Sequence, residues 1–151
     1  MPFDRNAAVT YARRHALASN PKYRRYPNDC TNFISQCMLA GGWTMIGGSV
    51  FDRSSDGVWW YGNSVFSDAS YTWGGAQNFA NFLRASRRGA RVQGPMQLEL
   101  GDVLQMVLDS TGGNQHIGHT MIVTGKSSTD LLLSYHTSDH IDEPLSAISA
   151  R

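Results

Sequence analysis

The sequence is short of charge, cysteine and proline, and it holds no long apolar run. Charged residues make up 17% of the 151 positions, below the ~25% usual for soluble domains. The surface is therefore left to Ser, Thr, Asn, Gln and Gly rather than to ion pairs. The formal net charge is +1, which creates no field to draw in a nucleic acid or an anionic bilayer. No stretch approaches the ~20 apolar residues that cross a membrane. The N-terminal MPFDRNAAVTYARRHALA carries charges where a signal peptide has its apolar segment, so a soluble chain with neither membrane span nor signal peptide is expected. Two cysteines, Cys30 and Cys37, are too few for a disulfide framework or a four-cysteine zinc site. On one helix, their spacing of seven residues separates the α-carbons by ~10 Å, beyond the ~7 Å limit for a bridge. Two free thiols are expected.

The length suits one domain over residues 1–151, large enough to bury roughly two thirds of its unfolded surface. No internal repeat or low-complexity linker interrupts it. Residues 4–19 read as a helix: Asp4 can cap it, Ala8, Tyr11, Ala12, His15 and Ala16 recur at helical spacing, and Asn20-Pro21 ends it. Residues 29–40 read as a second helix, with Asp29 or Asn28 as cap, Phe33, Ile34, Cys37, Met38 and Ala40 on its apolar face, and Gly41-Gly42 as its stop. Residues 43–71 show no clear period and carry Trp43, Trp59, Trp60 and Tyr61, as a long ordered excursion would. A third helix is expected over 73–86. After residue 98 the period falls to 2, and Val103–Leu108, His119–Val123 and Leu131–His136 become strand candidates. Helices first and strands second predict an α+β fold with a small antiparallel sheet.

Cys30 falls in the first turn of the buried second helix, within Asn28-Asp29-Cys30-Thr31. Unpaired N–H groups there carry partial positive charge, which favours a thiolate and can hold the oxyanion of an attacked carbonyl. The plainer alternative is a small buried hydrophobe, as most free cysteines are. That alternative suits Cys37, which lies mid-helix on the apolar stripe.

Of the five histidines, His119 is the candidate base. It opens a strand on which it shares a face with Met121 and Val123, a pair expected to pack on the cysteine helix. If the turn between this strand and the next is centred near residues 127–128, position 119 faces position 136, to within about one residue. Position 136 is a histidine, able to accept the ring N–H of His119 and fix its tautomer. Asp139 is the alternative orienter. His116-x-x-His119 has no third ligand of clear spacing, so no metal is expected; His116 is read as solvent-facing in a Gly-rich loop. Tyr23, Tyr26 and the Trp59–Trp60 loop are candidates to line a groove, although such aromatics more often form core.

Several strings carry a resemblance: Asp4-Arg5-x-Ala7-Ala8-Val9-x-Tyr11-Ala12, Asn20-Pro21-x-Tyr23, Asn28-Asp29-Cys30-Thr31-Asn32-Phe33-Ile34-Ser35-Gln36-Cys37, Tyr71-Thr72-Trp73, Gly101-Asp102-Val103-Leu104-Gln105, His119-Thr120-Met121-Ile122-Val123-Thr124-Gly125 and Tyr135-His136-Thr137-x-Asp139. Nearly end to end, the chain resembles the bacterial putative amidase domain family, which looks like a branch of the papain-like superfamily that includes NlpC-type peptidases and CHAP amidases. The resemblance implies a catalytic cysteine at the N-terminus of a helix packed on a small antiparallel sheet, with the histidine on a strand: Cys30 and His119, completed by a polar residue on the following strand, His136. It also implies cleavage of amide bonds, most often in peptidoglycan peptides, and hence action in the bacterial cell envelope.

The reading is therefore a cysteine-dependent amide hydrolase working through a thiol acyl-enzyme without cofactor or metal. Asn28, Asp29 and Thr31 flank the nucleophile. Asp29 is most simply a helix cap, although acidic residues beside the cysteine in related peptidases help bind substrate amines. A delivered antibacterial effector with a partner immunity protein is compatible with this chemistry. The alternatives are a protein glutamine deamidase or transglutaminase-like enzyme using the same triad, and a non-catalytic binding module.

Overall fold

A computed structural model describes residues 2–64, 67–109 and 116–150. The chain forms two compact units: residues 1–43, 92–104 and 120–151 make one, and residues 44–91 and 105–119 make the other.

The first unit begins with helix α1 (Arg5–His15). Asp4 caps it as expected, its carboxylate accepting from the Ala7 N–H at 3.0 Å. Ala8 and Ala12 are fully buried, and such small side chains let a neighbouring helix approach closely. The helix stops four residues before the expected end at 19, and the carbonyl of His15, in its last turn, meets His136 Nε2 at 3.0 Å. Helix α2 (Cys30–Ala40) is buried continuously from Cys30 to Met38, including Thr31, Asn32, Ser35 and Gln36. A helix buried all round lies inside a core rather than on its edge. Its polar groups are accounted for within the unit: Gln36 accepts from the Tyr11 hydroxyl at 2.6 Å, which in turn accepts from Asn20 at 3.1 Å.

Strand β3 (Val103–Asp109), β4 (His116–Lys126), β5 (Leu131–Tyr135) and β6 (His140–Pro144) lie in that order in a four-stranded sheet. The pairs β4–β5 and β5–β6 are antiparallel. The boundary between the units cuts β3 after Leu104 and β4 after His119. Gly101 (φ +85°) makes the turn into β3, a left-handed conformation that glycine adopts without steric cost, and its N–H donates to Val123 O at 2.9 Å. Residues 120–124 of β4 are all buried, so the strand has no solvent face and residue polarity does not tell its two sides apart. β6 was not expected: it is short, polar and closed by Pro144, with no alternating apolar signal. Helix α5 (Leu145–Ser149) follows and buries Ile148.

In the second unit the excursion is tied down more than its sequence suggests. An isolated bridge joins Ile46 to Trp59, and β1 (Tyr61–Ser64) pairs with β2 (Ser67–Ala69). The expected single helix over 73–86 is two, α3 (Tyr71–Gly74) and α4 (Ala76–Ser86), separated at Gly75, which is extended at φ −104°, ψ 129°. Trp59, Trp60, Trp73, Phe79 and Phe82 are buried, and Trp59 packs against Trp73 at 4.8 Å between ring centroids. Trp59 and Trp60 therefore form the core of this unit and do not line a groove.

Candidate active site

The first unit collects Asn28, Asp29, Cys30, Thr31 and His136 around the start of α2. The loop ahead of the helix is pinned from the helix itself: Asn32 donates to the carbonyl of Arg24 at 2.8 Å and to Asp29 Oδ1 at 2.9 Å. Cys30 is the first residue of α2 and only 2% exposed. Its thiol donates to Asn28 Oδ1 at 3.6 Å and lies 3.7 Å from the Thr31 hydroxyl. Thr31, fully buried, shares a 2.9 Å hydrogen bond with Thr120 of β4. The hydrogen bond between β4 and α2 thus runs through Thr120, on the opposite side of the strand from the expected Met121 and Val123.

Asp29 corrects a second expectation. It occupies the cap position, yet its side chain makes no capping bond. Oδ1 accepts from the Tyr26 N–H at 2.8 Å and from Asn32, while Oδ2 meets His136 Nδ1 at 2.6 Å. Burial by itself would raise this carboxyl, but the bonds from His136, Tyr26 and Asn32 outweigh it and hold the group below the ordinary carboxylate range. The first-turn N–H groups of α2 are therefore not covered by the Asp29 carboxylate.

His136 and Asp139 have partners other than those expected. In the sheet Ile122 lies opposite Ser134, one residue from the register that a turn at 127–128 would impose. The cause is a turn spanning Ser127–Asp130, closed by a 2.9 Å bond from the Ser127 N–H to Asp130 O, together with an irregularity between Val123 and Gly125. His136, 1% exposed, has both ring nitrogens engaged within the first unit, by Asp29 and by the His15 carbonyl. Asp139 pairs with Arg25 at 2.6 Å. His119 is half-buried in β4, within the second unit and immediately before Thr120 in the chain. His116 is exposed at the first residue of β4. The two cysteines are free, as expected, and burial pushes the Cys37 thiol well above its ordinary range.

Comparison with known proteins adds a family. Residues 2–151 match the family described as "Putative amidase domain". The chain belongs to that family. The amidase domain is 35% identical over 134 residues to "Uncharacterized protein YhbB" of Bacillus subtilis (strain 168), an overlap covering 87% of this chain and 40% of that protein. It is 27% identical over 154 residues to "Uncharacterized protein YjcM" of the same organism, covering 96% of this chain and 33% of that one. The amidase domain thus spans well under half the length of these curated relatives. No solved structure matches it.

Three residues of this neighbourhood were not singled out from the sequence. Asn32 had a readable signal, since it stands three residues after Asp29, the spacing of a reciprocal cap. Arg25 and Thr120 had none, because their partners lie 114 and 89 residues away. Among the described residues no group of three His, Cys, Asp or Glu side chains could hold a metal ion, and no helix is long and apolar enough to cross a membrane.

Proposed function

We propose that this amidase domain is a papain-like cysteine hydrolase of peptidoglycan peptides, with Cys30 as nucleophile and His119 as base. One observation carries the reading: Cys30 is the first residue of a buried helix whose cap residue directs its carboxylate away from the first-turn N–H groups. Partial positive charge at a helix start favours a thiolate there and an oxyanion on a carbonyl that it attacks. His119 is assigned on the family resemblance.

In this mechanism His119 removes the thiol proton and Cys30 Sγ forms a bond to the amide carbon. The carbonyl electrons move onto oxygen, where the helix N–H groups receive them. The C–N bond then breaks as His119 returns the proton to the leaving amine. Water, giving its proton to His119, adds to the thioester carbon; the C–S bond then breaks, the acid product is released, and the Cys30 sulfur takes the proton back from His119. Wall peptides are the proposed substrate because the resemblance noted in the sequence implies cleavage of peptidoglycan peptides, and the proposed site of action is accordingly the bacterial cell envelope.

Purified peptidoglycan digested with the wild-type chain should yield muropeptides with one new amine and one new carboxylate, read by mass spectrometry. The Cys30→Ala variant should leave the wall intact while folding normally. Cleavage by Cys30→Ala would remove the nucleophile assignment. Unchanged muropeptides under conditions where a simple amide is cleaved would remove the wall substrate.

A further inference from the structure

Asp29 and His136 face each other with side chains only 2% exposed. A backbone carbonyl has lone pairs and no proton, so His136 Nε2, 3.0 Å from His15 O, must carry hydrogen. Nδ1 meets Asp29 Oδ2 at 2.6 Å, with one proton between them. That proton resides on the ring if Asp29 is ionised. The carboxylate oxygen not facing His136 already accepts two N–H bonds, from Tyr26 and Asn32, which favours the ionised acid. The charged neighbours fit the same assignment. Arg25 Nη1 lies 3.5 Å from Nδ1 and would repel a cationic ring, but its charge is balanced by Asp139 at 2.6 Å. One ring face is covered by Phe33 of α2, with centroids 4.2 Å apart. Backbone bonding completes the frame, as the Asp29 N–H donates to Thr137 Oγ1 at 3.1 Å.

We propose that Asp29 and His136 are positioning residues, an imidazolium–carboxylate pair that fixes the first turn of α2 and thereby the Cys30 sulfur and the N–H groups beside it. Asp29 is then not a binder of the substrate amine, since its oxygens are consumed inside the fold and the residue is 1% exposed. His136 is not the orienter of the base. The proposal rests on the reading of Cys30 as nucleophile, but its test needs no substrate.

Nitrogen-15 spectra of the wild-type chain at neutral pH should show protons on both ring nitrogens of His136. Iodoacetamide alkylation, located by peptide mapping, should modify Cys30 and spare Cys37. Asp29→Asn and His136→Gln should each slow Cys30 alkylation about tenfold or more in protein whose Cys37 stays protected. A wild-type His136 with a single ring proton overturns the proposal, as does unchanged Cys30 alkylation in both folded variants. If a variant fails to fold, the wild-type ring spectrum still decides the ion pair. Failure of the wall assay with both of these results intact would count against the substrate and leave the pair standing.

Discussion

At the scale of single residues, two thiols on one helix have opposite surroundings. Cys37 is fully buried and its thiol is pushed up by that burial, whereas Cys30 meets Asn28 Oδ1 and the Thr31 hydroxyl at the helix start. If His119 is the base, His119→Ala should lower kcat/KM by about 10²–10⁴-fold with the melting temperature little changed; activity within twofold of wild type would exclude that role. Asp29 makes a separate prediction about acid. Its folded-state acidity is greater than in the unfolded chain, so the native state binds fewer protons and stability rises with pH through this window. The contribution is complete above about pH 4, the ordinary aspartate range, and is lost as pH falls through the lower folded value. Urea titrations at a series of pH values should therefore show a shallower acid loss for Asp29→Asn than for wild type; parallel curves would refute it. The candidacy of Cys30 was legible because a helix start leaves a local signature in Asn28-Asp29-Cys30. The use made of Asp29 was not, because its partner His136 lies 107 residues away and a cap position suggests a local role first.

At the scale of elements, what the sequence reveals depends on how many faces a segment buries. α1 was readable because Ala8, Ala12 and Ala16 are buried at helical spacing while Arg13 and Arg14 are exposed. β3, β4 and β5 announced themselves by a period of 2, but β4 is buried on both sides over residues 120–124, so alternation could not say which side meets α2. The β4–β5 register was missed by one residue because an irregularity beside Gly125 is invisible to a count from the turn. A Cβ at Gly125 would stand 2.7 Å from Leu132 Cδ1, so glycine there marks close approach rather than a turn. The split between α3 and α4 left only Gly74-Gly75 as its trace. Within α2, Phe33 is fully buried and stacks on His136. Phe33→Ala should cost about 3–5 kcal/mol of folding free energy, measured by urea denaturation. A loss under about 1 kcal/mol would mean that the ring is not held as described.

At the scale of the whole chain, low charge has a measurable effect. The ion pairs Arg5–Asp102, Arg13–Asp142, Arg25–Asp139, Arg53–Asp68 and Lys126–Glu99 all have side chains at least a quarter exposed, and such pairs contribute about 0–1 kcal/mol each. Raising salt from about 0.05 to about 0.5 M should therefore move the melting temperature by less than about 5 °C; a larger fall would show that exposed pairs carry the stability. The first unit has a further property: it is drawn from three separated stretches of chain, residues 1–43, 92–104 and 120–151. A ribosome releases α1 and α2 well before β5, which packs against both. Until residues 120–136 emerge, Phe33 lacks the His136 ring that stacks on it, Asp29 lacks its His136 partner, and Thr31 lacks Thr120. The helix that carries Cys30 is thus completed only once β4 and β5 have been made, and a nascent chain halted before β4 would leave an apolar helix uncovered, the kind of surface that chaperones bind.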